Sequence, residues 1–125
     1  NGEIPCYKVG EDASNIAFLD IRPLKRGHVL CVPKREVDEL YELPSEDYAS
    51  LMLFSQRIAR AIKAAVPCKR IGSMVLGMEV PHAHLHLVPL DAEHELSFSN
   101  TPLQLSAAEM ESIRASISNA LDAVG

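Results

Sequence analysis

The chain has 125 residues, of which 47% are hydrophobic and 23% charged, with a formal net charge of −5. This composition predicts one globular domain over residues 1–125, and its acidic balance argues against a general nucleic-acid-binding surface. No apolar run approaches the roughly 20 residues of a membrane span and no segment resembles an export signal, so we expect no membrane partner.

The first third of the chain predicts three strands. Residues 6–9 and 15–20 favour strands separated by turn residues, and a buried strand over 28–32 follows. Asp20 ends the second strand, where an Asp is usually a turn former or a cap for the next segment. His28 begins the third strand, and a single histidine at such a position is more often structural than catalytic.

Two helices are predicted in the remaining chain. The first begins at Ser45, a good N-cap followed by two acidic residues, and ends before Pro67. The second begins with a capping box at 106–109 and has one apolar face. A strand over 73–78 lies between them, and residues 91–102 form a polar loop. The fold class is therefore α+β, a meander-like antiparallel sheet of about five strands with one long helix and a C-terminal helix.

The three cysteines, Cys6, Cys31 and Cys68, are odd in number and widely spaced. This pattern is typical of free thiols in a reducing compartment rather than of disulfides. We therefore expect a cytoplasmic protein whose cysteines are buried and structural.

Three of the five histidines fall on alternate residues, at His82, His84 and His86. On a strand this spacing places all three on one face and directs the intervening apolar residues into the core. Three imidazoles on one face are costly unless they are hydrated, bonded to one another or bound to something. Because histidine titrates near neutral pH, this row is the first place to look for chemistry.

Two functional interpretations fit the histidine row. In the first, the row binds zinc, which needs a bent strand because His82 and His86 would be about 13 Å apart along a straight one. In the second, the middle imidazole, His84, attacks a phosphorus atom while its neighbours orient it and bind phosphate oxygens. A polar edge face without chemistry is the third possibility, and strict alternation inside an apolar segment argues against it.

The sequence His-Ala-His-Leu-His-Leu-Val at 82–88 resembles the signature of the histidine triad family of nucleotide hydrolases and transferases, in which histidines alternate with apolar residues. Further matching segments occur in the family's order at residues 2–5, 11–12, 18–23 and 27–34. The resemblance implies a histidine-triad-like fold, a purine nucleotide substrate, no cofactor, and a homodimer whose two sheets join.

The resemblance also implies roles for the candidate catalytic residues. His84 is the nucleophile and forms a covalent nucleotidyl-histidine at the α-phosphate. His86 and His28 stabilise the charge on the phosphate oxygens, and His82 fixes the tautomer of the nucleophile. Asp20 accepts hydrogen bonds from the ribose hydroxyls, since a carboxylate can accept from two neighbouring donors at once.

Three further residues are implied to contact the nucleotide: Phe18, Ile21 and Glu79. Around Glu79 the chain departs from the better-known branches of the family. Met78 stands where a phosphate-contacting Gln is usual, and Glu79 stands where a Ser or Thr is usual. Glu79 either acts as a general acid, or contacts a cationic leaving group, or points away and caps a turn. An unpaired anion beside a phosphate is repulsive, which disfavours dinucleoside polyphosphates as substrates.

The residues and the resemblance together predict an enzyme, a phosphoramidase or dinucleoside-polyphosphate-hydrolase-like protein that acts on a purine nucleotide. His86 favours hydrolysis, because a uridylyltransferase branch of the family has Gln at that position. Two alternatives stay open. One is a purine-nucleotide-binding module with weak or no turnover, favoured by loss of the usual Gln. The other is a zinc-dependent hydrolase with the histidine row as ligands.

Overall fold

The computed structural model describes residues 7–76, 78 and 80–124, so the predictions for residues 2–5, Cys6 and Glu79 concern positions outside the described residues. The described strands are β1 (Lys8–Glu11), β2 (Asn15–Leu19), β3 (Val29–Pro33), β4 (Arg70–Met74) and β5 (Leu85–Leu90). The described helices are α1 (Ser45–Ala65) and α2 (Ala107–Val124), with short 3₁₀ turns at Leu40–Glu42 and Glu93–Glu95. The predicted α+β fold class is confirmed over this part of the chain.

The strands form one sheet in the order β1-β2-β3-β5-β4, and neighbouring strands are antiparallel. The expected meander holds from β1 to β3, whereas β5 inserts between β3 and β4. The chain leaves the sheet through α1 after β3 and returns at the edge strand β4, which leaves the place beside β3 to β5. A residue on β5 is therefore flanked by residues of two other strands.

Alternation along the strands separates the two faces of the sheet. In β2 and β3 every second residue is buried and the residues between them are half-buried. The buried face packs against α1, whose Leu51, Ile58 and Ile62 are fully buried, and against Ile117 of α2. Because both helices pack on that face, the opposite face of the sheet stays accessible for a site.

Two strands have bounds that differ from the sequence predictions. β1 covers Lys8–Glu11 rather than 6–9. β4 covers Arg70–Met74 rather than 73–78, because its register with β5 pairs Arg70 with Leu90. β4 is an edge strand with one neighbour, so it needs no continuous apolar pattern. Its polar first residues therefore did not predict a strand.

The helix starts were predicted with mixed success. Pro44 rather than Ser45 is the N-cap of α1, since its backbone is already extended (φ −54°, ψ 148°) and Ser45 lies within the helix. The capping box of α2 is confirmed: Ser106 Oγ accepts the Glu109 N–H at 3.1 Å, and the Glu109 carboxylate accepts the Ser106 N–H at 2.9 Å.

Two expectations drawn from composition bear on the described residues. Cys31 is buried and Cys68 half-buried, and both are free. Burial raises the pKa of the Cys31 thiol to about 12, so this thiol stays protonated and unreactive. None of the described helices has the length and apolar character needed to cross a membrane.

Candidate active site

The accessible face of the sheet carries the histidines. The register sets Leu30 of β3 between Phe18 of β2 and His86 of β5, and sets His86 beside Met74 of β4. Because directly paired residues project from the same face, these four side chains form one row across the sheet. His28, two residues before Leu30, projects from the same face.

His28 is held by the turn that precedes β3. Gly27 has a φ of 92°, which L residues rarely adopt, and a Cβ there would lie 3.0 Å from the Val66 side chain. Beyond this turn, Nδ1 of the His28 ring accepts the Leu24 N–H at 3.0 Å. The His28 carbonyl accepts the Asp20 N–H at 3.0 Å, which ties the end of β2 to the start of β3.

Hydrogen bonds fix the proton positions on His28 and His86. Since Nδ1 of His28 accepts a backbone N–H, the proton of the neutral ring is on Nε2. Nε2 of His28 lies 2.9 Å from Nδ1 of His86 and donates to it. The neutral His86 ring then carries its proton on Nε2. This N–H has no partner in the described part of the chain and is available to a bound ligand.

Burial keeps both of these rings neutral. It lowers the pKa of His28, an effect that is partly offset by Asp20, whose Oδ2 lies 3.5 Å from Nε2 of His28. Burial, assisted by the neighbouring His28 and His84, lowers the pKa of His86 to about 3. At neutral pH the pair therefore offers N–H donors without a full positive charge.

His84 has the complementary arrangement. Its Nδ1 lies 2.8 Å from the backbone oxygen of His82, and because a carbonyl only accepts, Nδ1 is the donor. The lone pair of the neutral ring is therefore on Nε2. The His84 ring meets the His86 ring edge to face, with centroids 4.9 Å apart. An imidazole whose lone pair is fixed on one nitrogen, beside an N–H donor, has the arrangement of a nitrogen nucleophile.

The prediction that His82, His84 and His86 lie on one strand is wrong. β5 begins at Leu85, so His86 lies in the strand and His82 precedes it. The pairing of β5 with its neighbouring strands begins at Leu85, because the backbone before that residue forms a hydrogen bond to a group outside the sheet. The apolar residues between and after the histidines are buried as predicted: Ala83, Leu85 and Leu87.

Bonds to β3 and to the loop after it hold the segment before β5. The Ala83 N–H donates to the Val37 carbonyl at 2.8 Å. Nε2 of His82 lies 2.9 Å from the Pro33 carbonyl and donates to it. These two bonds fix the position of the His82 carbonyl, which in turn sets the tautomer of His84.

A cleft of about 510 Å³ opens over these histidines. His84 and His86 line it, together with Asp20 and Arg22. Oδ1 of Asp20 accepts the Arg22 N–H at 2.8 Å, which fixes the carboxylate at the cleft. The other lining residues are apolar: Leu24, Leu30, Leu76, Met78, Val80, Phe98 and Pro102.

The predicted site residues differ in how they relate to this cleft. His28 and His82 lie outside the lining and contact it through their hydrogen bonds to His86 and His84. Phe18 is also outside the lining, although it lies beside Leu30 in the row across the sheet. Ile21 is outside the lining and 63% exposed. Glu79 lies outside the described residues.

Phe98 is a site residue without a strong sequence signal. Its ring centroid lies 4.8 Å from that of His86 and 6.3 Å from that of His28, so it covers the buried pair. It belongs to the polar loop after β5, where no periodic pattern marks a packing contact. A single aromatic residue within a polar loop was the available signal.

Among the described residues, one group of three could bind a metal ion: Asp20, His28 and His86. Their ligand atoms lie within 4.8 Å of one another. Metal-ligating histidines donate their other ring N–H to an acceptor. A metal on Nε2 of His28 would place a proton on Nδ1, where the Leu24 N–H already donates. Two donors would then face each other, so this hydrogen-bond network disfavours a metal.

Comparison with known proteins gives matches over most of the chain. The sequence model of the HIT (histidine triad) domain family matches residues 1–93. An uncharacterized HIT-like protein of Mycobacterium tuberculosis is 39% identical over 93 residues, so the match spans 70% of this chain but 65% of that protein's length. An adenosine 5'-monophosphoramidase of Schizosaccharomyces pombe is 29% identical over 120 residues, covering 94% of this chain and 90% of that protein.

The fold also matches a solved structure. A hypothetical histidine triad nucleotide-binding protein from Sulfolobus tokodaii gives a TM-score of 0.84 at 22% identity. The match covers 97% of this chain and 87% of that one. At this identity the likeness shows that the two chains share a fold.

Proposed function

We propose that this chain, which belongs to the histidine triad family, hydrolyses a purine nucleotide at its α-phosphate and releases the nucleoside monophosphate. The observation that carries the proposal is the fixed tautomer of His84, which leaves a lone pair on Nε2 in a residue that lines the cleft. The name of the Schizosaccharomyces pombe relative, an adenosine 5'-monophosphoramidase, supports a phosphoramidate as the substrate.

The first step forms a covalent intermediate. Nε2 of His84 attacks the α-phosphorus, the bond to the leaving amine breaks, and the amine departs with the bonding electrons and a proton from water. The imidazole becomes cationic when Nε2 bonds to phosphorus. The His82 carbonyl stabilises this charge, because it accepts the Nδ1–H of the same ring at 2.8 Å.

The buried histidine pair stabilises the charge on the phosphate. The Nε2–H of His86 donates to a phosphate oxygen, and the Nε2–H of His28 supports this donor through the 2.9 Å bond between the two rings. The donors are in place before the substrate arrives, so little reorganisation is needed during the reaction. In the second step water attacks the phosphorus, loses a proton to solvent, and displaces His84.

The nucleoside is proposed to lie at the Asp20 end of the cleft. Oδ1 of Asp20 accepts a backbone N–H, and Oδ2 is left with the weak 3.5 Å contact to His28, so Oδ2 can accept from a ribose hydroxyl. Phe18 and Ile21 are proposed to contact the base, which is supported by the place of Phe18 beside Leu30 in the row across the sheet. Glu79 is proposed to repel an anionic leaving group such as a polyphosphate.

A purine-nucleotide-binding module with weak turnover is the second candidate. Met78 favours it, because an apolar side chain lines the cleft where the family resemblance places a phosphate-contacting Gln. Removing one donor to a developing charge can cost roughly 100-fold to 1,000-fold in rate. The zinc-dependent alternative has less support, since the described residues His82, His84 and His86 do not form a group of three that could hold a metal. At the group that could, the bond from Leu24 to His28 opposes a metal.

We also propose a cytoplasmic homodimer. The free thiols of Cys31 and Cys68 support a reducing compartment. An exposed apolar surface at the start of α1 supports self-association, and Tyr48, Met52 and Leu53 belong to it. Light scattering over a range of protein concentrations measures the oligomeric state, and a monomer at all concentrations would contradict the dimer.

Replacing His84 by Asn tests the proposed function. Asn keeps a donor near the position of Nδ1 but lacks Nε2, so turnover of adenosine 5'-phosphoramidate should fall by at least about 1,000-fold. The affinity for adenosine monophosphate, measured by calorimetry, should change by less than about tenfold. The matched control is His94→Asn, an exposed histidine outside the cleft, which should retain activity.

Two results would contradict the proposal. Near-normal turnover in His84→Asn would exclude His84 as the nucleophile. A wild-type protein that binds adenosine monophosphate but hydrolyses no nucleotide derivative would favour the binding module.

A further inference from the structure

We infer that the leaving group of the substrate is apolar and uncharged, and that Leu76, Met78 and Val80 bind it. This inference rests on the proposed function, because it takes His84 as the residue that attacks the nucleotide. It concerns the end of the cleft at which Met78 departs from the family pattern, and it follows from the positions of the two ends of the cleft.

The two ends of the cleft belong to different strands. Asp20 and Arg22 follow β2, whereas Leu76 and Met78 follow β4. The strands β3 and β5 lie between β2 and β4 in the sheet. Neighbouring strands are about 4.8 Å apart, so the two ends are separated by roughly 14 Å across the sheet. His86 lies on β5, between them.

The register adds a displacement along the strands. Asp20 bonds to the backbone of His28, at the start of β3. On the other side Met74, the last residue of β4, is paired with His86. His84, which precedes β5, and Leu76, which follows β4, therefore lie at the same end of the sheet, and both line the cleft. The nucleophile is therefore beside the apolar end of the cleft, while the carboxylate lies towards the opposite corner.

A nucleotide bound in this cleft has its leaving group at the apolar end. The α-phosphorus joins the nucleoside to the leaving group, so a ribose at Asp20 and a phosphorus at His84 direct the leaving group towards β4. Leu76, Met78 and Val80 alternate along the chain and line that end. They are 53%, 92% and 55% exposed, so each has apolar surface that a ligand can cover.

The charges of the cleft agree with this direction. Arg22 is the one permanently cationic side chain among the described lining residues, and it lies at the Asp20 end. A polyphosphate leaving group would lose water at the apolar end without meeting a described cation. An alkyl or aryl amine would instead bury apolar surface, which is worth about fourfold per fully buried methylene group.

A series of adenosine 5'-phosphoramidates tests the inference. Methylamine and butylamine have similar basicity, so their P–N bonds present similar chemistry while their apolar areas differ. If the three additional methylenes are half-buried, kcat/KM for the butyl compound should exceed that for the methyl compound by about eightfold. The γ-aminobutyrate compound has a similar chain ending in a carboxylate and should lose this advantage.

Variants locate the effect in the apolar end. In the triple variant Leu76→Ser, Met78→Ser, Val80→Ser the butyl-to-methyl ratio should fall below about twofold. Met78→Ser alone removes the most exposed of the three side chains, so it should fold and still lower the ratio by about twofold. Val124→Ser is the matched control, an exposed apolar residue at the end of α2 that does not line the cleft, and it should keep the wild-type ratio.

The possible outcomes separate the inference from the proposed function. A wild-type ratio near one, or a ratio that both serine variants leave unchanged, overturns the inference and leaves the phosphoramidase function standing. Absence of turnover with every phosphoramidate, including the unsubstituted one, overturns both.

Discussion

Acidification should destabilise this protein through the buried pair of His28 and His86. An unfolded histidine has a pKa near 6.5, whereas burial lowers the pKa of folded His86 to about 3. Between these values the unfolded chain binds a proton that the folded chain excludes. Stability is therefore complete above pH 6.5 and is lost as the pH falls towards 3.

The magnitude follows from the two pKa values of His86. Proton linkage gives a loss of about 2 kcal/mol in the free energy of unfolding between pH 8 and pH 5. The lowered pKa of His28 adds to the loss in the same direction. Carboxylates with lowered pKa values, such as Glu11 and Glu95, change the free energy of unfolding mainly below pH 4.5. The loss between pH 8 and pH 5 therefore reports on the histidines.

Urea unfolding at pH 8 and pH 5 measures this loss. His86→Asn retains an acceptor for the Nε2–H of His28 but has no titrating ring, so it should lose about 2 kcal/mol less than the wild type between the two pH values. His94→Asn removes an exposed histidine and should show the wild-type loss. Equal losses in all three proteins would refute the reasoning, because His86 would then contribute nothing to the linkage.

Three further predictions concern the same cleft. Turnover should survive EDTA, because the bond from Leu24 opposes a metal at His28; inactivation that zinc reverses would support the metal-dependent alternative. Glu79→Ser should raise the ratio of dinucleoside polyphosphate to phosphoramidate turnover by up to about tenfold through lost repulsion, and a change below twofold would show that the carboxylate points elsewhere. Phe98→Ala should admit water to the buried pair and raise the pKa of His86 in an NMR titration, whereas Phe98→Leu should preserve it; an unchanged pKa in the alanine variant would show that Phe98 does not shield the ring.

Periodic patterns and local capping chemistry could be predicted from the sequence. Ala83 and Leu85 enter the core because they alternate with histidines, and Ser106 caps α2 because its partner lies three residues away. These features depend on neighbours in the chain, so residue order is enough to identify them. The α+β class follows from the same patterns summed over the chain.

The parts of the site that depend on backbone groups distant along the chain could not be predicted from the sequence. The segment from His82 to His84 was expected in a strand. Instead the Ala83 N–H bonds to the Val37 carbonyl, and the His82 ring bonds to the Pro33 carbonyl. The tautomer of His28 depends on the Leu24 N–H, which no side-chain pattern reveals. Phe98 reaches the histidine pair through the path of a polar loop, which leaves no periodic signal.

The stereochemical course at the α-phosphorus tests the central claim most directly. A nucleoside phosphoramidate made chiral at phosphorus with sulfur would be hydrolysed in isotopically labelled water, and the configuration of the product determined by NMR. Attack by His84 followed by attack by water gives two inversions, so the account predicts overall retention of configuration. Overall inversion would mean that water attacks the substrate directly, and it would contradict a covalent intermediate on His84.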